Sequence, residues 1–174
     1  MTFDEAIEQL KKWIAESNGS AIQIGKEVCC EFHQFQKYTE EEIVATENAL
    51  KWRFPAEFRT FMKEIGKSCL FNDPQFGLGV DIYSLNQIIQ THEELKNLDE
   101  EEPITDLFCM IGASNSMGDY IGFTINRETQ DNFDIYCHEY PVFEYVNVST
   151  EIKSWRTFQS WLVKIVETLG EEII

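Results

Sequence analysis

Apolar residues at the start of the chain recur every three or four positions, so that Phe3, Ile7, Leu10 and Ile14 share one face of a predicted helix. Thr2 and Glu5 form a capping box ahead of it, and Asn18-Gly19 supplies the stop. A second box, Thr39 with Glu42, opens TEEEIVATENAL and predicts a helix over 40–50 whose acidic first turn suits the positive end of the helix dipole. In FPAEFRTFMKEIG, Pro55 fits a first helical turn, Phe58, Phe61, Met62 and Ile65 fall on one face, and Gly66 ends the helix. Residues 20–38, SAIQIGKEVCCEFHQFQKY, fit neither period cleanly and are compatible with a strand, a helix or a mixture.

Beyond Gly77 the period shortens to two. LGVDIYS places Leu78, Val80 and Ile82 on one side of a strand and Asp81 and Tyr83 on the other, and a helix over about 86–98 follows. After the acidic turn LDEEEP come LFCMIG, DYIGFTI, FDIYCH and VFEYVN, four short runs separated by turn residues, which read as an antiparallel meander. The last apolar stripe, Trp155, Phe158, Leu162, Ile165 and Leu169, predicts a closing helix capped by Ser154. These elements describe one α+β domain over 1–174, a mainly antiparallel sheet flanked by helices that bury their stripes on it. Neither an internal repeat nor a linker divides the chain.

The ordered set TEEEIVATENALKWRFPAEFRTFMKEIG (39–66), GVDIYSLNQII (79–89), MGDYIGFTI (117–125), FDIYCHE (133–139) and SWRTFQSWL (154–162) resembles the SUKH superfamily. That group includes the yeast cell-wall-synthesis regulator and bacterial proteins that neutralise contact-dependent and polymorphic toxins. The resemblance covers 39–169 and leaves 1–38 as an N-terminal helix plus an extra segment. It departs from the pattern where Gly66-Lys67-Ser68 stands in place of a Gly-Gly turn. It implies a SUKH-like fold without catalysis or cofactor, acting by binding another protein. In bacterial members that protein is a toxin domain, often a nuclease; the alternative is a regulatory or scaffold module resembling the yeast member.

Charge changes the picture independently. The chain has 31 acids, 14 bases and a net charge of -17, and residues 67–150 alone hold 15 acids against 3 bases. Such a chain repels phosphate backbones and anionic membranes, since nucleic-acid binding needs lysine and arginine to displace counterions. It suits a partner with a basic cleft, which an acidic surface can be steered into and block. Aromatic residues make up 13% of the chain, which rules out acidic disorder. Real interfaces concentrate their energy in aromatic anchors within a charged rim. The expected partner-binding residues are therefore Asp99, Glu100, Glu101 and Glu102 in the acidic turn, Asp119, Asp131 and Asp134 beside the strands, and Tyr120, Tyr136 and Tyr140, with Phe143 nearby.

The five cysteines are an odd number, and the N-terminus lacks the basic-then-apolar plan of an export signal, so a cytoplasmic protein with buried free thiols is expected. No apolar run approaches the ~20 residues that span a bilayer. Cys29 and His33 would meet at i, i+4 on a helix, yet a structural zinc needs four ligands and no CxxC pair completes the set, so no metal is expected. On a strand, Cys137 and His138 point to opposite faces and cannot share a proton. The phosphate-binding loop, the dinucleotide glycine pattern, HExxH and GxSxG are all missing from the sequence.

Overall fold

The computed structural model describes residues 1–73, 75–98, 108–115, 119–124, 132–136 and 156–171. In chain order these form α1 (Phe3–Ser17), β1 (Ile22–Gln23), β2 (Cys29–Gln36), α2 (Glu40–Leu50), α3 (Ala56–Glu64), β3 (Lys67–Asp73), β4 (Leu78–Ile82), α4 (Leu85–Leu98), β5 (Phe108–Ser114), β6 (Tyr120–Thr124), β7 (Asn132–Tyr136) and α5 (Phe158–Glu167). The acidic turn after Leu98 and the fourth expected strand, VFEYVN, lie outside the described residues.

Local chemistry sets the helix starts. Thr2 with Glu5 and Thr39 with Glu42 close both expected capping boxes, each hydroxyl accepting an amide hydrogen while the glutamate accepts from the cap residue's own amide. Ser84 and Gln87 exchange the same pair of bonds ahead of α4. The closing helix begins later than its sequence suggests. Thr157, not Ser154, is the cap, with Ser160 completing the box. Arg156 just before it pairs as an isolated bridge with Phe133 of β7, and this extended pairing keeps Arg156 itself out of the helix.

Strands β2 to β7 follow one another as an antiparallel meander, and the two-residue β1 adds to the first part of β2. The undecided segment 20–38 is thus resolved as strand, and β3 appears where no element was expected. Phe71 breaks the alternation of β3: it is buried with φ +53°, next to a register shift between Leu70 and Asp73. Gly79 opposite tolerates that bulge. A Cβ at its φ of +127° would stand 3.0 Å from Asn72 Cα and 3.2 Å from the carbonyl oxygens of Leu70 and Phe71. Gly66, at φ +75°, ends α3 where a Cβ would collide with the Gln36 carbonyl oxygen, so β3 can start at once alongside β2.

The helices cover one face of the sheet. Trp13 of α1 stacks on Phe32 of β2 at 5.4 Å and meets Phe71 edge-on, while Phe58 of α3 and Phe158 of α5 both meet Phe123 of β6. Val80 and Ile82 are buried as expected, but Leu78 is 46% exposed because it lies at the β3–β4 hairpin, past the reach of the helices. The thiols also divide differently from expectation: Cys30 and Cys109 are buried, Cys69 is partly so, and Cys29 is exposed. Cys137 lies outside the described residues. No described helix is long and apolar enough to cross a membrane.

Candidate protein interface

Antiparallel register carries one row of side chains across the face of the sheet opposite the helices. His33 pairs with Cys69, Cys69 with Asp81, Asp81 with Ala113, and Ala113 with Tyr120. Because successive strand residues point to opposite sides, this row alternates with the buried Phe32, Leu70, Val80, Ile82 and Ile121. Each member of the row is partly exposed. Tyr136 of β7 is the register partner of Tyr120.

At the β2 end the face deepens into a recess of about 530 Å³, whose lining includes His33, Phe35, Lys67, Asn72, Asp81 and Tyr83. Glu31 anchors its rim. Asn72 Nδ2 donates to Glu31 Oε2 at 2.9 Å, and His33 Nε2 lies 3.2 Å from the same oxygen. The hydrogen bond from His33, and after it that from Asn72, holds the Glu31 carboxyl below its usual range. Phe35 projects from the face at 61% exposure, its ring parallel to that of His33 (10° between planes) and 5.3 Å below the Lys67 ammonium. Burial, followed by the neighbouring Tyr120 and Asp81, pushes the Tyr83 hydroxyl upward.

Burial pushes the Cys69 thiol up to about 12, and the hydrogen bond and charge of Asp81 act in the same direction. A thiol kept protonated at neutral pH is a poor nucleophile. What remains is a set of rings beside carboxylates, the composition of a charged rim with aromatic anchors.

Of the residues expected to bind a partner, Tyr120 lies on this face. Asp119 immediately precedes β6 but is only 5% exposed; its carbonyl accepts the Ser114 amide at 2.7 Å, which holds its backbone against the end of β5, so it is not part of the open surface as its sequence position suggests. Asp134 and Tyr136 belong to β7, as register partners of Gly122 and Tyr120. Asp99, Glu100, Glu101, Glu102, Asp131, Tyr140 and Phe143 lie outside the described residues. Glu31, Phe35, Lys67 and Asn72 were not anticipated; the polar phase of CCEFHQFQ, with its aromatic at Phe35, was the available signal. Cys29 and His33 stand on strand β2, so the helical spacing that suggested two metal ligands does not arise, and no cluster of three or more metal-ligating side chains occurs among the described residues.

Comparison with known proteins adds two findings. The sequence model of the SMI1 / KNR4 family (SUKH-1) matches residues 37–164. A protein of Dickeya dadantii (strain 3937) called Immunity protein RhsIB is 25% identical over 177 residues, an alignment covering 99% of this chain and 100% of that protein.

Proposed function

Because the chain belongs to the SMI1 / KNR4 family (SUKH-1), we propose that it is an immunity protein that binds a cognate toxin domain in the cytoplasm and neutralises it without chemistry of its own. Similarity along nearly the whole chain to an immunity protein of Dickeya dadantii supports this reading. The observation that carries the rest is charge placement, 15 acids to 3 bases over residues 67–150, the stretch that includes strands β3 to β7. A nuclease must present a basic cleft to its substrate, so an acidic, ring-bearing surface is attracted to it and can occlude it. The toxin is accordingly proposed to be a nuclease, contacted by Tyr120 together with Asp99, Glu100, Glu101, Glu102, Asp131, Asp134, Tyr136 and Tyr140. Nucleic acid and membranes are not partners in this scheme.

The test is co-expression with a candidate toxin domain, sought in the reading frame beside this chain's gene. Growth should be restored to that of cells lacking toxin, and the two proteins should co-purify one to one. Cells that die as they do with toxin alone, with no co-purified pair, would rule the proposal out.

A further inference from the structure

The recess at the β2 end of the open face has a defined chemistry. Asp81 supplies a carboxylate, Phe35 and Tyr83 supply rings, and Lys67 is the one lysine or arginine among the described residues lining it; Glu31 adds a second carboxylate just beyond the lining, bonded to Asn72 and His33. Its volume of about 530 Å³ falls in the ordinary range for ligand-sized pockets. The ammonium of Lys67 already lies over the Phe35 ring, 5.3 Å from its centroid, which marks that ring as a place where a cation rests.

We propose that this recess receives an arginine from a basic segment of the partner protein, and that Lys67 is a resident cation holding the place over Phe35 until that arginine displaces it. The proposal rests on the reading of this chain as a binder of a basic protein. A guanidinium fits better than an ammonium, because it can stack on Phe35 while its fork of donors reaches a carboxylate. Displacement releases Lys67 to solvent and removes its repulsion of the incoming charge. Lys67 is therefore a brake on binding, although it lies at the centre of the contact. Glu31 already accepts from Asn72 and His33, whereas Asp81 accepts from the Cys69 thiol, a weak donor, which leaves Asp81 as the principal carboxylate for the newcomer.

The experiment titrates the ¹⁵N-labelled full chain with a hexa-arginine peptide, with hexalysine as the comparison, following amide shifts by NMR. Shifts should concentrate at Phe35, Lys67, Cys69, Asp81 and Tyr83, and hexalysine should bind more weakly. F35A and D81N should each weaken binding about fivefold, whereas K67M should strengthen it about threefold. Phe35 is exposed, so F35A tests the site without threatening the fold. Shifts clustered elsewhere or spread over the acidic chain, or K67M weakening binding as F35A does, would overturn the proposal. A failed growth rescue alongside a localised peptide response would instead remove the toxin reading and leave the recess standing.

Discussion

Replacing Phe158 by alanine is expected to destabilise the protein by about 3–5 kcal/mol. The ring is fully buried and, among the described residues, meets those of Phe58, Phe61, Phe123, Phe133 and Trp161 at centroid distances from 5.2 to 6.3 Å. It ties α5 to α3 and to strands β6 and β7, so its loss leaves a cavity that no single element can close. For a chain of this size each kcal/mol lowers Tm by roughly 2–4 °C, giving a fall of about 10 °C in a thermal melt. Phe158→Leu, which keeps most of the volume, should cost under about 1.5 kcal/mol. A loss below 1 kcal/mol for the alanine variant would contradict the packing of α5 on β6 and β7.

The second large effect is expected from Arg59→Met. The Glu47 side chain is only 4% exposed; its Oε1 accepts the Phe54 amide at 2.9 Å, and Arg59 Nη1 lies 3.2 and 3.1 Å from its two oxygens. Arg59 also contacts Glu40, which Lys63 approaches at 3.1 Å. The network pins the turn between α2 and α3 against both helices. Removing the guanidinium leaves a buried carboxylate with one amide for compensation, at a cost of about 3–5 kcal/mol by urea denaturation. The double variant Glu47→Met, Arg59→Met should recover much of that, retaining about 1–2 kcal/mol for the orphaned Phe54 amide. If the double variant is as unstable as the single one, the penalty does not arise from the stranded charge.

Helices were legible in this sequence because their signals are local. A hydroxyl at the cap, a carboxylate three residues on and an apolar stripe all fall within a few positions of one another. Strand β3 was not, because Lys67 and Asp73 give it polar ends and the bulge at Phe71 spoils its alternation. The late start of α5 escaped for a related reason: the bridge from Arg156 to Phe133 joins residues far apart in sequence, and nothing near Ser154 announces it.

The open face was half visible. Asp81 and Tyr83 separate from Val80 and Ile82 by period alone, and Tyr120 was singled out for its ring. Which phase meets the helices depends on where those helices lie, and the meeting of Glu31 with Asn72, 41 residues apart, depends on register. Asp119 shows the opposite failure, since an acid beside a strand reads as surface, whereas its pairing with the end of β5 at Ser114 leaves it buried.

The most direct test of whether this molecule works by charge-guided docking is stopped-flow measurement of its association rate with the purified toxin domain across a range of salt. The rate should fall by about tenfold or more between low salt and about 0.5 M, with the dissociation rate changing far less. An association rate unmoved by salt would contradict the account.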